Sequence, residues 1–296
     1  MSFSDEIGKR MKENYETVFK TRLVRRMPVA IRIDGKAFHT FTKGFDKPFD
    51  RVLMTAMQET MKFLCENIQG CVLGYTQSDE ITLILIDYEN LNSSAWFNNE
   101  IQKICSISAS MATLEFNRVF ADLVEKDIAR YSGCGGTEIM DASYRLPAMK
   151  HREAVKKGGM FDARCFNIPK EEVTNLIYWR QLDATRNSIE MAGRAYYSHG
   201  ELHEKNQSDI QELLHQKGVN WNDYPTDCKR GSCCIKETYY IDSSGNEVSY
   251  NEAVFWNDED MCNDLVEGVA MRSRWKIDHD IPIFKNEGRS YIDNLI

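Results

Sequence analysis

The sequence predicts an α+β fold, because strand and helix periodicities follow one another along the chain. Residues 29–34 alternate between apolar and more polar side chains, which is the period of a strand with one buried face. Two apolar runs, 71–75 and 81–86, flank an acidic tip at residues 77–80 and predict a β-hairpin. Between them, Asp50 precedes apolar residues at helical spacing and is expected to cap a helix.

The next elements are predicted from the same two periods. Residues 5–24 predict a mostly polar helix whose apolar stripe packs on the sheet, and this stripe consists of Ile7, Met11, Tyr15, Val18 and Phe19. Further along the chain we expect a helix over 96–122, a loop over 130–136, a strand over 161–168, a helix over 169–197 and a helix capped by Ser208 that ends at Gly218.

The C-terminal part changes in character after Gly231. Residues 233–241 and 247–250 predict two strands around a Ser-Gly-Asn turn, which together form a second hairpin. Residues 257–296 mix a short acidic helix with a basic segment at 272–276. We therefore expect a C-terminal extension built from helix and β-hairpin.

Composition excludes a membrane protein and a secreted one. The chain has 296 residues, 42% of them hydrophobic, and no run approaches the 18 apolar residues of a membrane span. It is long enough for one large or two modest domains with a proper core. Its first six residues lack the basic start and apolar stretch of a secretory signal, so we expect a cytoplasmic protein.

The nine cysteines are an odd number and scattered, which favours reduced thiols over a disulfide framework. One cluster leaves a zinc site open as an alternative. It consists of Cys228, Cys233 and Cys234, with His199 and His203 upstream at helical spacing. The cluster lacks a Cys-x-x-Cys pair, so plain thiols are favoured.

The net charge of −8 argues against a nucleic-acid-binding protein whose whole surface is basic. Local basic faces remain available for phosphate contacts. The candidates are Lys20, Arg22, Arg25 and Arg26; His151, Arg152, Lys156 and Lys157; Lys229 and Arg230; and Arg272, Arg274 and Lys276. Each run taken singly is also typical of a solvated surface.

The candidate site lies at Asp34 and Asp79. If the hairpin lies beside the first strand, these carboxylates converge, with Gly35 leaving a backbone carbonyl unobstructed between them. Such a hard-oxygen set suits Mg²⁺, and two metal ions about 4 Å apart would serve phosphoryl or nucleotidyl transfer. The alternative is that both residues are ordinary turn acids.

Four motifs resemble the successive motifs of the tRNA-His guanylyltransferase superfamily, in the family's order and spacing. They are Arg-Ile-Asp-Gly-Lys-Ala-Phe-His at 32–39, Tyr-Thr-Gln-Ser-Asp-Glu at 75–80, Phe-Asp-Ala-Arg at 161–164 and Tyr-Trp-Arg-Gln at 178–181. The resemblance covers roughly residues 1–236. It implies a polymerase-like palm domain, an antiparallel sheet flanked by helices, that extends RNA at its 5′ end in the 3′-to-5′ direction.

The resemblance also implies a site. Two Mg²⁺ ions would be held by Asp34, the Gly35 carbonyl and Asp79, with Glu80 as a supporting catalytic acid, and Lys103 would contact the triphosphate. The alternatives are a surface or strand-edge acid for Glu80 and an ordinary surface lysine for Lys103. The implied nucleotide site is lined by Asp34, Gly35, Lys36, Ala37, Phe38, His39, Ser78 and Asp79. The implied substrates are ATP and GTP or other nucleoside triphosphates and the 5′ end of a tRNA acceptor stem, bound by a homotetramer.

Three regions with soft boundaries follow from this resemblance. Residues 1–136 would be the palm part with the metal and nucleotide sites. Residues 137–236 would complete the catalytic core with tRNA-contacting helices, and residues 237–296 would form the extension.

One motif departs from the family. Eukaryotic members carry His-Ile-Asn-Asn-Leu-Tyr-Asn after Trp-Arg-Gln, whereas residues 183–190 here retain only Asn187 of the polar positions. This is similar to the bacterial and archaeal guanylyltransferase-like branch, whose members resemble polymerases that repair 5′-truncated tRNA after activating its 5′ end with ATP. The alternatives are a tRNA-His guanylyltransferase that adds a single 5′ G, a palm-fold nucleotide cyclase and a non-catalytic tRNA-binding protein.

Overall fold

The computed structural model describes residues 3–133, 142–257 and 262–296. The strands within these ranges are β1 (Val29–Gly35), β2 (Cys71–Gln77), β3 (Glu80–Leu85), β4 (Phe161–Asn167), β5 (Ser232–Ile241), β6 (Glu247–Val248), β7 (Val254–Asn257), β8 (Cys262–Leu265) and β9 (Ala270–Asp278). The α-helices are α1 (Phe3–Met11), α2 (Phe38–Phe41), α3 (Arg51–Asn67), α4 (Ile101–Gly133), α5 (Ala142–Lys157), α6 (Lys170–Tyr196), α7 (His199–Leu202), α8 (Gln207–Gln216), α9 (Thr226–Arg230), α10 (Tyr250–Ala253) and α11 (Ser290–Asp293).

One antiparallel sheet organises the fold. Its strand order is β4-β1-β3-β2-β5-β6, and β9 pairs with the other edge of β5. The predicted hairpin, β2 and β3, lies beside β1 through β3, and the register places Asp34 opposite Glu80. On its other side β1 pairs with β4, with Asp34 opposite Asp162. The expected neighbourhood of the first strand and the hairpin is therefore confirmed.

Helices cover both faces of the sheet. Val29, Ile31 and Ile33 pack in a core with α3 and α4, whereas Ala30 and Tyr75 pack in a second core with α6. The alternation in β1 predicted one buried face, yet Ala30 is also fully buried. The reason is that α6 and the C-terminal residues around Phe284 and Ile292 cover the second face.

The C-terminal extension completes the sheet and this second core. The predicted hairpin of β5 and β6 is present, but β9 forms the longer pairing with β5. Residues 281–296 then lie along α6, where the Phe284 N–H donates to Gln181 and Thr174 donates to Asp293. Sheet strands come from all three predicted regions, and the boundaries between those regions stay predictions.

The N-terminal α-helix is shorter than predicted, and the prediction that it packs on the sheet was wrong. α1 is followed by a π-helix at Lys12–Glu16, and the apolar stripe does not pack on the sheet. Tyr15 is 61% exposed and Phe19 is 73% exposed. The segment joins the body at Thr21, Arg22 and Leu23, through backbone pairing with residues 99–101.

Several other boundaries differ from the prediction. α4 begins at Ile101 after a separate 3-10 turn, and it continues to Gly133, because Phe120 and Val124 extend the buried stripe. The loop predicted over 130–136 is thus helical to 133, and its residues 134–136 lie outside the described ranges. Asn206, rather than Ser208, caps α8. The acidic helix predicted after 257 is wrong for Cys262–Leu265, which pair with β7 as β8.

No described helix has the length and apolar content needed to span a bilayer.

Gly35 ends β1 where only a residue without a side chain fits. A Cβ atom built there would lie 2.4 Å from the Phe38 ring. Phe38 is buried and its ring packs against Phe41, Phe116 and Phe161. The ring therefore closes over Gly35 and determines how the chain leaves the strand.

We predict that Gly35→Ala destabilises the protein by about 1–3 kcal/mol, because the added methyl must displace the Phe38 ring from a packed cluster. Urea denaturation followed by circular dichroism measures the change. The matched control is Gly200→Ala in α7, where the new Cβ meets no atom within 4 Å. Equal stability of the Gly35 variant and the control would show that this close packing is not required.

Candidate active site

The two predicted metal-binding carboxylates converge at one end of the sheet. Asp34 is the penultimate residue of β1, and Asp79 lies in the turn between β2 and β3. The Gly35 N–H donates to the Asp79 carbonyl at 3.1 Å and ties the two segments together. Ser78, at a left-handed φ of 51°, donates its hydroxyl to Asp79 Oδ1 at 3.1 Å. The hairpin geometry expected from the sequence therefore brings the acids together.

The surroundings of both acids disfavour their charged forms. Burial raises the pKa of Asp79, and the neighbouring Asp34 adds to the rise, while hydrogen bonds from its own backbone and from Ser78 oppose it. Burial likewise raises the pKa of Asp34, with a further rise from Glu80 that Arg32 partly offsets. A bound cation would relieve this electrostatic penalty.

The available donors fit Mg²⁺. The nearest guanidinium nitrogens, from Arg32 and Arg164, lie 3.9 and 3.8 Å from Asp34 Oδ2, beyond hydrogen-bond distance. Across the described part of the chain, no group of three or more His, Cys, Asp or Glu side chains is placed to hold a metal. An ion here would therefore complete its shell with the Gly35 carbonyl, water and phosphate oxygens, as Mg²⁺ commonly does.

A cavity of about 690 Å³ is lined by Asp79 and by Gly35, the residue after Asp34, whereas Asp34 itself is not among its lining residues. Most of the predicted nucleotide-site residues line it, namely Gly35, Ala37, Phe38, His39, Ser78 and Asp79. Lys36 does not line it and contributes instead to a separate cavity, together with Lys157. Asn187, the residue retained from the polar motif, lines a smaller adjoining pocket.

Three cationic residues of this cavity were missed in the sequence. Lys43 and Lys47, in the loop before α3, and Arg194, on α6, contribute to its walls. Within the described ranges neither lysine has an acidic partner at ion-pair distance, whereas Arg194 pairs with Glu190. Lys43 and Lys47, close together around Gly44, could have been recognised in the sequence as a candidate phosphate-binding loop. Arg194 could not, because nothing in the local sequence pattern brings it to the same cavity.

His151 anchors the wall of the cavity and cannot serve as the phosphate contact suggested by its basic run. Its Nε2 lies 2.7 Å from Asp50 Oδ2, and both side chains are almost completely buried. Asp50 also accepts from the backbone N–H groups of Asp46 and Leu53, as the cap predicted for α3. The pair therefore links α5 to the loop that borders the cavity.

Glu80 lies behind the two acids, in an ion-pair chain. Its carboxylate oxygens contact Arg32 and Arg180, so both are engaged by guanidinium groups. Arg180 is buried and also pairs with Asp183 at 2.9 Å. Glu80 thus connects β3 to β1 and α6 and can act on the site through Arg32, which is also near Asp34.

Lys103 is not brought to this site within the chain. It lies at the start of α4, where Cys105 Sγ is 3.6 Å from Cys165 Sγ near the far end of β4. The end of β4 beside the acids contacts α4 three turns later, through Thr113 and Phe161. Lys103 Nζ is 3.8 Å from Glu100 and lines none of the cavities described above.

The proposed zinc ligands are dispersed. Cys233 belongs to the core under α6, whereas Cys234 belongs to the core under α3 and α4, on the opposite face of the sheet. The cysteines that the structure describes in full are free thiols, Cys233 and Cys234 among them. Adjacent residues on opposite faces cannot share one ion.

Other basic runs are partly neutralised. Arg25 pairs with Asp87, and Arg274 pairs with Glu237 and Glu247. Lys229 donates to the Asn222 carbonyl at 2.6 Å. These contacts reduce the number of free cations outside the acid-bearing end of the sheet.

Comparison with known proteins agrees with the four motifs. A family model described as tRNAHis guanylyltransferase (Thg1) matches residues 8–169. A bacterial tRNA(His) guanylyltransferase (Thg1)-like protein solved in complex with ATP is 37% identical, with a TM-score of 0.71 and 98% of each chain covered. Such a protein solved with GTP is 37% identical, with a TM-score of 0.68 and coverage of 98% of this chain and 99% of the other.

A curated relative gives the same family. The tRNA(His) guanylyltransferase of Schizosaccharomyces pombe is 27% identical over 237 residues, which cover 73% of this chain and 77% of that protein. These similarities confirm the predicted α+β palm fold and the predicted family resemblance.

We predict that Asp79→Asn raises the thermal unfolding midpoint of the metal-free protein at pH 7. A carboxyl whose pKa is raised by folding stabilises the protein below its unfolded pKa, and this contribution is lost as the pH rises through the folded value. The gain should therefore shrink as the solution is acidified. Scanning calorimetry in a chelating buffer measures it, with Asp122→Asn on the exposed face of α4 as the control. A lower midpoint at pH 7 would contradict the electrostatic penalty.

We predict that Glu80→Ala destabilises the protein by about 3 kcal/mol, because two arginines, one of them buried, lose their shared partner. Glu66→Ala, at an exposed position of α3, is the control and should change stability little. Added Mg²⁺ should still raise the unfolding midpoint of the Glu80 variant, because Glu80 is not a metal ligand. Loss of that increase would make Glu80 a ligand rather than an anchor.

Proposed function

The chain belongs to the tRNAHis guanylyltransferase family and is a nucleotidyltransferase, and on this premise we propose that it repairs the 5′ end of truncated tRNA. It would add nucleotides in the 3′-to-5′ direction, using the opposite strand of the acceptor stem as template. The observation that carries the proposal is the convergence of Asp34 and Asp79 at one end of the sheet, where Asp79 and Gly35 line a cavity of about 690 Å³.

The cavity supports a nucleoside triphosphate as substrate. Cationic side chains at its walls, Lys43, Lys47 and Arg194, would attract phosphates, and apolar Phe38 and Leu53 offer contacts to the sugar or base. The bacterial relatives were solved with ATP and with GTP. ATP, GTP and other nucleoside triphosphates are therefore the proposed substrates of this chain.

The proposed reaction has two steps at one site. The 5′-monophosphate of the RNA attacks the α-phosphate of ATP and releases pyrophosphate, which leaves a 5′-5′ adenylate. The 3′-hydroxyl of the incoming nucleotide then attacks the activated 5′ phosphate and releases AMP. Mg²⁺ bound by Asp34, the Gly35 carbonyl and Asp79 would stabilise charge on the transferring phosphate and lower the pKa of the attacking hydroxyl.

The protein's own residues position these groups. Ser78 orients Asp79 through its hydroxyl, and Arg32 holds Glu80 behind Asp34. Arg164 is half exposed beside Asp34, so it can pair with a phosphate oxygen once the carboxylate binds a cation. Glu80 would then act as a positioning residue, which supports the catalytic acids through the arginines.

The replaced motif supports repair over marking of tRNA-His. Thr185 stands where eukaryotic members carry histidine, and its hydroxyl donates to the Gln181 carbonyl of its own helix at 3.0 Å. Its hydroxyl hydrogen is therefore used within the helix, and the imidazole of the eukaryotic motif is absent. A templated polymerase needs no such reader, because base pairing selects the nucleotide.

We propose a homotetramer that binds tRNA across subunits. The stripe of Ile7, Met11, Tyr15, Val18 and Phe19 is exposed, and it supports burial against a second copy. Lys103, remote from the cavity of its own chain, could then contact phosphates bound by a neighbouring subunit. The free thiols fit the reducing cytoplasm, where we propose that the protein works.

We predict that the purified protein, with Mg²⁺, ATP and nucleotides, extends tRNAs lacking their first nucleotide and stops when the acceptor stem is complete. Truncated tRNA-His, truncated tRNAs of other identity and tRNA-His with an exchanged anticodon should react at rates within about tenfold, since the template selects the nucleotide. Labelled 5′ ends resolved on gels give the rates. Asp34→Ala and Asp79→Ala should each lower the rate by at least about a thousandfold while the fold persists.

Three outcomes would contradict this proposal. A large preference governed by the histidine anticodon would favour addition of a single G to tRNA-His. Conversion of free ATP or GTP without RNA would favour a cyclase. Binding of tRNA without extension would leave a non-catalytic RNA-binding protein.

We predict that the double variant Tyr15→Ser and Phe19→Ser dissociates the tetramer, because it removes two exposed aromatic side chains from the contact stripe. Light scattering during gel filtration gives the mass of the assembly. Leu91→Ser, at a residue that is 87% exposed elsewhere, is the control and should leave the assembly intact. A fully active wild-type monomer would contradict the tetramer.

A further inference from the structure

Lys36 and Lys157 border a cavity of about 220 Å³ that is distinct from the large one. Gly158, Gly159 and Met160, which follow Lys157, also line it. We propose that these two lysines bind a phosphate of the RNA backbone in this cavity, an inference that rests on the proposed RNA substrate. The site would position the RNA strand next to the catalytic acids.

Backbone contacts fix the two sides of this cavity. The Lys36 N–H donates to the Met160 carbonyl at 2.8 Å, which joins the end of β1 to the segment before β4. Lys157 is the last residue of α5, and Gly158 follows at a φ of 72°. The Asn117 side chain bonds both the N–H and the carbonyl of Gly159, each at 2.8 Å. The lysines therefore project from anchored segments.

Charge indicates that the ligand is an anion. Lys36 and Lys157 are both exposed, and among the described residues neither has an acidic group at ion-pair distance. By contrast, Lys150 pairs with Glu153 and Lys276 pairs with Glu237. Two unpaired cations at one concave site raise the local potential and attract a phosphate.

Position favours the RNA backbone over the triphosphate of the incoming nucleotide. The left-handed Ala37 forms a wall of both cavities, so the two sites are adjacent but separate. Asp79, which would hold a metal-bound phosphate, lines the large cavity and not the small one. Phe41 and Met160 add apolar surface that suits a ribose attached to the phosphate. The small cavity would thus hold a phosphate of the strand being extended.

The test compares Lys36→Ala/Lys157→Ala with wild type in binding a 5′-truncated tRNA by fluorescence anisotropy at several salt concentrations. The double variant should bind about tenfold more weakly near 0.15 M salt. Its slope of log affinity against log salt should be shallower by about 0.8, because the neutralisation of one phosphate is lost. Lys36→Arg/Lys157→Arg should restore most of the affinity. Lys205→Ala/Lys285→Ala, at exposed positions elsewhere, should leave affinity and slope unchanged.

A second arm measures ATP binding by equilibrium dialysis without RNA, and the RNA assignment predicts little change in the double alanine variant. Weaker ATP binding with unchanged tRNA binding would overturn it in favour of a triphosphate subsite. Equal tRNA affinity and slope in wild type and variant would overturn the subsite while leaving the proposed function intact. A wild-type protein that binds no tRNA would overturn the proposed function and this inference together.

Discussion

The apposition of two carboxylates at the end of an antiparallel sheet is the constraint on which the rest of this structure depends. Asp34 and Asp79 are brought together by strand pairing and by the bond from the Gly35 N–H to the Asp79 carbonyl. Burial raises the pKa of both acids, with a further rise at Asp79 from Asp34 and at Asp34 from Glu80, so the arrangement costs stability in the absence of a cation. The same feature that destabilises the metal-free protein would favour binding of a divalent ion with its bound phosphates, as proposed above.

An alternating chain of charges keeps this site in register with α6. Arg164 and Arg32 flank Asp34, Glu80 bridges Arg32 and Arg180, and Arg180 continues to Asp183. Because Arg180 is buried, its position depends on Glu80 and Asp183. This chain explains how a helix a hundred residues away in sequence determines the surroundings of the catalytic acids. The exposed end of the chain is Arg164, which also pairs with Asp162 at 3.0 Å.

The hydrophobic periodicity of the sequence predicted the strands and helices that carry the candidate site. The features that it did not predict depend on packing between residues far apart in sequence. The alternation of apolar and polar residues identified β1. It did not predict the burial of Ala30, because the residues that bury it lie on α6 and near the C-terminus. Lys36 is adjacent to Gly35 in sequence, yet the left-handed Ala37 turns successive side chains toward different cavities. The periodicity of α4 identified a helix around Lys103 but not which end of it meets the acids.

The most direct test of the central claim is anomalous diffraction from crystals grown with Mn²⁺ and a non-hydrolysable ATP analogue. We predict two manganese peaks within bonding distance of Asp34, Asp79 and the Gly35 carbonyl, with the triphosphate in the large cavity and Glu80 still bound by Arg32 and Arg180. Manganese coordinated elsewhere, or a triphosphate placed away from Asp34 and Asp79, would contradict this account.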